Sequence, residues 1–324
     1  MQQYILRRLS LIPVLLLGIT LMTFFMFNLA PGDPVTALIK PGVLDGFGQG
    51  DGANLEALRA RYGLDKPVIV RYLVWLRELL KGNLGYSYNT DQPVLETIAE
   101  AIPATLLLQA TSIGVALIMG VVLGVITALK QYSRLDHFLT FLALFGISLP
   151  NFFIALIAMY VFAVKLNWLP TAGMWTPGRP IGFNLDLLHH MVLPATAGAI
   201  IYVASYMRYA RASTLDALSA DFVITARAKG LRERLVVMRH VLRNALLPIV
   251  TLMGLSLPGL LGGSFIIETI FSWNGLGLLG YRALMSRDYP LLMGVALMVA
   301  TLILLANLIT DIAYAFVDPR VRYV

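Results

Sequence analysis

The chain has 324 residues, of which 58% are hydrophobic and 13% charged, with a net charge of +7 and no cysteine. A soluble domain carries about 25% charged residues, and more than half of its surface is already apolar, so this excess has nowhere to go but lipid. A soluble enzyme is excluded, and disulfides, thiol catalysis and cysteine metal sites go with it.

A membrane helix needs ~20 residues free of charge. Leu9 to Gly32 is the first such gap. Arg7 and Arg8 precede it, as in a signal peptide, but the 24-residue run exceeds the ~7–15 residues of a signal core and is read as a retained helix. Residues 33–100 follow as a long segment outside the bilayer. Its 40–54 stretch is Gly-rich and reads as a mobile loop. A helix is predicted at 66–81, with Asp65 as its cap and Pro67 in its first turn. Ile69, Leu73, Leu76 and Leu80 share one face there, opposite Arg71 and Glu78. That face is expected to pack on the membrane or the bundle, with contact to an external partner as the second reading.

Five further gaps follow: Ala101 to Leu129, His137 to Val164, Leu187 to Met207, Asn244 to Ile267 and Tyr289 to Thr310. The expected fold is therefore all-α and polytopic, with six transmembrane helices and an extracytoplasmic insert. The segments are 1–32 (N-terminus and first helix), 33–100 (insert), 101–310 (five-helix core) and 311–324 (tail). Pro150 lies midway through the third gap, Pro194 opens the fourth, and the fifth holds Pro248, Pro258 and several glycines. Kinked packing is the first reading of these breakers and a pathway the second. Gln109, Ser148, Asn151 and Ser256 are the polar groups proposed along a substrate path, each equally able to join helices. The gaps hold no charged residue, with Glu268 and Asp311 at their edges, which argues against a proton-coupled carrier. No phosphate-binding Gly-x-x-x-x-Gly-Lys loop occurs, so active transport would need another chain for the nucleotide. His189 and His190 diverge by about 100° on a helix and read as an interfacial pair rather than metal ligands.

Segments 1–8, 130–136, 208–243 and 311–324 carry 14 basic and 6 acidic residues; those of the other side carry 11 and 12. The basic side is expected to be cytoplasmic, with both termini inside. Eight of the 14 lie in 208–243. There 216–229 lacks Pro and Gly and reads as a helix, Gly230 ends it, and a second helix starts near Arg234. A helical hairpin projecting from a bundle invites a protein partner.

This segment reads Asp221-Phe-Val-Ile-Thr-Ala-Arg-Ala-Lys-Gly230, then His240-Val-Leu-Arg-Asn-Ala-Leu-Leu-Pro248. It resembles the Glu-Ala-Ala…Gly loop of binding-protein-dependent ABC importers, in the form found in the peptide/nickel permeases. Tyr4-Ile-Leu-Arg-Arg8, Ala30-Pro-Gly-Asp-Pro34, Tyr62-Gly-Leu-Asp-Lys-Pro67, Gly82-Asn-Leu-Gly85, Glu268 to Gly277, Arg287-Asp-Tyr-Pro290 and Asp318-Pro-Arg320 extend the resemblance over nearly the whole chain. The long insert resembles the B-type subunit of dipeptide and oligopeptide importers. Ile224 stands where the family's Glu falls, and Asn274 where relatives usually have Pro.

The resemblance implies the MetI-like permease fold in a prokaryotic inner membrane, surrounded by lipid. It implies a C-type permease partner, two ABC ATPases and an extracytoplasmic binding protein, with no nucleic acid. ATP and Mg would be bound by the ATPases, with no cofactor on this chain and no catalytic residue of its own. The helix at 219–231 would be the coupling helix, with Asp221, Thr225, Ala226, Arg227, Ala228, Lys229 and Gly230 as its ATPase-coupling residues, Ala226 and Ala228 being small enough for close approach. Di- and oligopeptides are the implied cargo, with a nickel chelate, glutathione or an oligosaccharide as alternatives. A stand-alone channel or secondary carrier is opposed by the ordered motifs and the charge-free gaps. A membrane-embedded enzyme is opposed by the lack of a catalytic constellation.

Overall fold

A computed structural model describes residues 2–28, 65–262 and 265–317. The Gly-rich 40–54 stretch, the 30–34 motif, the first part of the 62–67 motif and the 318–320 motif lie outside them. The described residues are helical: α1 (Gln2–Asn28), α2 (Val68–Leu80), α3 (Val94–Leu129), α4 (Arg134–Ser148), α5 (Asn151–Lys165), α6 (Leu185–Leu218), α7 (Asp221–Ala228), α8 (Glu233–Ala245), α9 (Leu247–Gly262), α10 (Phe265–Ile270), α11 (Leu276–Met285) and α12 (Tyr289–Val317). Four of them, α1, α3, α6 and α12, are long and apolar enough to cross a membrane singly. The pairs α4–α5 and α8–α9 bring the total to six if each is one span, but they bend by 107° and 43°.

The bends separate charge-free length from straight helix. Pro150 has no N–H to donate and pushes the residue before it out of the α region. Leu149 accordingly takes an extended ψ of 139°, and Pro150 itself sits at ψ 135°. The third gap is thus two helices meeting at a sharp corner, not a kinked rod. Pro248 falls in the first turn of α9, where a missing N–H is tolerated. Pro194 does not open the fourth helix. It sits within α6, which starts nine residues earlier and is capped by the side chain of Asn184 receiving the Leu187 N–H.

The chain forms two compact units, 1–104 with 275–305, and 105–274 with 306–322. In the first unit, α2 packs on α1 through Phe24, Tyr72 and Trp75, with ring centroids 5.4 to 6.2 Å apart. The Tyr72 hydroxyl lies 3.0 Å from that of Thr20. One detail of the α2 expectation is overturned, and the face that packs within the chain is now defined. Asp65 does not cap the helix, since Pro67 holds that position without a side-chain bond. The buried face is Val68, Tyr72, Trp75 and Leu76, while Ile69, Leu73 and Leu80 are exposed. The aromatic rings bury more area than the aliphatic stripe and so decide which face turns inward.

A second core in this unit joins Val94, Ile98 and Ala101 of α3 to Leu276, Ala283, Leu291 and Val295. Beside it Asp288 is buried and caps α12. It accepts bonds from the Leu291 N–H, the Asn89 N–H and amide, and the Ser87 hydroxyl. Two motifs read separately in the sequence, 82–85 and 287–290, thereby meet around the start of α3, where the Val94 N–H reaches the Gly85 carbonyl at 3.0 Å.

In the second unit α3 and α6 lie in backbone contact. A Cβ on Gly120 would sit 2.5 Å from the Cβ of Tyr206, and one on Gly124 would sit 2.6 Å from that of Ala210. Ala116, Ala199, Val203 and Ile249 complete this core. Small residues spaced four apart permit such an approach.

Candidate functional site

The basic 208–243 segment folds as a hairpin with its own core. The expected single helix over 216–229 is interrupted: α6 ends at Leu218, Ala220 is extended at ψ 148°, and α7 restarts at Asp221. No Pro or Gly announces this break. Ser219 turns its hydroxyl back to the Asp216 carbonyl, and the turn lets α7 fold over against α8. Ala217, Val223, Ala226, Val236, Val241 and Ala245 are buried together, with Leu218 and Leu231 against them.

Gly230 closes α7 at φ +76°. Its N–H reaches the Arg227 carbonyl at 2.9 Å, and the Leu231 N–H reaches that of Ala226 at 3.4 Å. This is a Schellman end, in which a left-handed glycine satisfies the last carbonyls and the following apolar residue folds back on the helix. On the solvent side, Arg227 forks onto Glu233 with contacts of 3.1 and 2.6 Å. That hydrogen bond pushes the guanidinium pKa above its ordinary value against a smaller effect of desolvation, and holds the Glu233 turn against α7.

The residues expected to form a coupling helix therefore divide. Asp221, Thr225, Ala228, Lys229 and Gly230 are exposed at the surface of the hairpin. Thr225 donates to the Asp221 carbonyl, and Arg227 is exposed but engaged by Glu233. Ala226 is buried in the hairpin itself, so its small size serves α7–α8 packing rather than direct approach by a partner. Phe222 and Ile224, the latter noted in the sequence only as standing at the family's Glu position and neither of them named as a contact residue, are exposed apolar side chains on the same short helix, and Arg232, Arg234, Arg239 and Arg243 are exposed around it. The signal was available in the sequence: large apolar residues in a loop rich in arginine.

The four path residues are not drawn together by hydrogen bonds among the described residues. Ser148 and Asn151 flank the α4–α5 corner. Ser148 donates to the Leu144 carbonyl, whereas the Oδ1 of Asn151 is buried without a partner. Gln109 is buried in α3. Ser256 donates to the Leu252 carbonyl and receives the Tyr206 hydroxyl at 2.8 Å, so it joins α9 to α6.

Three acidic groups placed at span edges are buried. Glu268 is fully buried and accepts from Thr105 at 3.0 Å. Asp186 accepts from the Thr176 N–H and hydroxyl and from Arg179. Asp136 is held by Arg211. Position relative to a charge gap does not report burial, because loops fold back over helix ends. His189 and His190 do diverge, reaching the carbonyls of Trp168 and Gly173 separately. Among the described residues no three His, Asp or Glu side chains gather as a metal site.

Contacts within each unit respect the grouping of loops into two sides. Asp136 and Arg211 join 130–136 to 208–243, the Gly173 N–H reaches the Phe271 carbonyl at 2.8 Å, and Ser87 meets Asp288.

An all-helical membrane protein with a basic hairpin set on its own core is the class these features define. Residues 120–323 match the model of the binding-protein-dependent transport system inner membrane component, and residues 1–109 match the N-terminal model of such membrane components. The chain belongs to this family. It is 44% identical over 323 residues to a putative peptide permease protein of Brucella suis, covering 99% of each chain. It is 41% identical over 325 residues to the oligopeptide transport system permease protein AppB of Bacillus subtilis, and 38% identical over 327 residues to OppB of Escherichia coli, covering all of each chain. The protein is thus a membrane component of a binding-protein-dependent importer and not its ATPase.

Proposed function

We propose that this chain is the B-type permease of a peptide importer, passing di- and oligopeptides delivered by an extracytoplasmic binding protein. What carries the reading is the full-length similarity to relatives described as peptide permeases. The complex contains a C-type permease and two ATPases that bind ATP and Mg, and both termini of this chain are cytoplasmic. The side holding the hairpin carries the excess of basic residues, which supports that orientation.

The hairpin docks on an ATPase. Asp221, Thr225, Ala228, Lys229 and Gly230 form the contact face together with Phe222 and Ile224. The surrounding arginines meet acidic groups, and Ala226 with Arg227 keeps the hairpin in shape. Closure of the ATPase pair is transmitted as rigid-body rocking that alternates access to the path. Asn151, with a buried unpartnered oxygen at the α4–α5 corner, is the first choice for a path residue. Gln109 and Ser148 follow, and Ser256 acts there through its bond to Tyr206.

The test is reconstitution of the complete complex in liposomes with its binding protein. Labelled di- and oligopeptides should accumulate on ATP addition, and Gly230→Asp should depress uptake relative to ATP hydrolysed while the chain still inserts. Retention by the binding protein of a nickel chelate, glutathione or an oligosaccharide in place of peptide would redirect the substrate. Unchanged stimulation and uptake in Gly230→Asp would refute the coupling role.

A further inference from the structure

Asp136 and Arg211 form a forked ionic contact on a buried carboxylate in the second unit. The Nε and Nη2 of Arg211 reach the two carboxylate oxygens of Asp136 at 3.2 and 2.8 Å. The remaining capacity of the carboxylate is taken by the Tyr132 N–H at 3.0 Å and the Thr140 hydroxyl at 3.3 Å. Asp136 is the one buried residue of α4. Phe138, Phe141, Leu142, Leu144, Phe145 and Ile147 of that helix are all exposed. The deepest hold on α4 is therefore a forked ion pair to α6, and only an arginine has the planar geometry to make it.

The place of Arg211 along α6 gives the pair its meaning. Two turns further on, Ala217 and Leu218 of the same helix enter the core of the hairpin. One residue before it, Ala210 meets Gly124 of α3 in backbone contact. A displacement of the hairpin is thus a displacement of the α6 end, and α3 follows through close packing. α4 also lies close to α6 at Gly146, where a Cβ would sit 3.1 Å from Ile200, and at the start of α4 the link is the ion pair. Beyond α4 the chain turns 107° into α5, so moving the start of α4 swings that corner.

We propose that Asp136 and Arg211 are positioning residues for transport: a clasp that makes α4 follow α6 when the hairpin is displaced. The proposal rests on the reading of 221–230 as the ATPase contact. The clasp touches neither peptide nor nucleotide, and its effect is on the uptake obtained per ATP.

The experiment uses the complete complex in liposomes, with uptake and binding-protein-stimulated ATP hydrolysis measured on the same vesicles. Breaking one side of a buried pair strands a charge, whereas removing both need not destabilise. The main variant is therefore Asp136→Asn combined with Arg211→Met. It should insert, assemble and hydrolyse ATP within about twofold of the parent, while uptake per ATP falls roughly tenfold, in the range of a coupling between sites. Arg211→Lys keeps the charge and loses the fork, should fall between the two, and decides the question if the double variant does not accumulate. An unchanged ratio in the variants that assemble, or loss of stimulation in step with uptake, overturns the clasp. Its failure is separable from failure of the coupling reading. An altered ratio in Gly230→Asp with a normal one in the pair variants removes only the clasp. A normal ratio in Gly230→Asp removes the coupling reading itself.

Discussion

Helices α1 and α6 look alike in composition, since each covers a charge-free gap of ample length. Their surroundings differ. In the most apolar window of α6, 56% of residues are buried within the chain, against 11% in that of α1. α6 is a mast: α3 lies on it through glycines, Tyr206 reaches from it to Ser256 of α9, Arg211 holds α4, and its end builds the hairpin. α1 offers Leu11, Val14, Leu15, Met22 and Met26 outward, and among the described side chains Phe24 and Phe27 near its end pack against α2 and Met293. In lipid no hydrophobic drive separates these roles, and close packing does it instead. Small residues, not apolar ones, mark the mast.

The comparison can be broken at Gly124. Gly124→Leu places a side chain where a bare Cβ already meets Ala210 and the Met207 carbonyl at 2.6 Å. The two backbones must separate, with an expected loss of about 1–3 kcal/mol or more. Thermal denaturation of the purified complex in detergent should show a large fall in midpoint, or the chain should fail to accumulate.

Methionine provides a matched pair. Met207 on α6 is buried, and Met207→Ala is expected to lose about 2–5 kcal/mol if the cavity does not collapse. Met22 on α1 is exposed, and Met22→Ala should stay within about 0.5 kcal/mol. The same denaturation assay reads both. Equal losses would mean that a partner chain covers α1, and the contrast between the helices would then belong to the isolated chain.

The sequence made some of these features legible and hid others for physical reasons. Gly230 was read as a helix end, and it is one, because only a residue without a side chain takes φ +76° cheaply. Pro150 was read as a kink, but the size of the bend depends on what α4 and α5 pack against, which spacing does not encode. The break at Ser219–Ala220 left no local mark, since burial of Val223 and Ala226 against α8 is what fixes it. On α2 the spacing marked the aliphatic stripe but not the aromatic face that packs within the chain, because Tyr72 and Trp75 meet Phe24, far away in sequence. Ala226 was assigned to a partner and turned out to sit in the hairpin's own core.

By itself the sequence determined that the chain is a helical membrane protein, which stretches are free of charge, how the basic residues are shared among the loops, and which family the ordered motifs point to. Those follow from the cost of placing charge in hydrocarbon and from motif order along the chain, and neither depends on who touches whom. The tertiary structure decided which charge-free stretch is a mast and which is peripheral, that Glu268, Asp186 and Asp136 are buried, and that Arg211 grips α4. These depend on the approach of residues remote in sequence, through backbones brought together by absent side chains and carboxylates closed over by loops, and no local pattern encodes that approach.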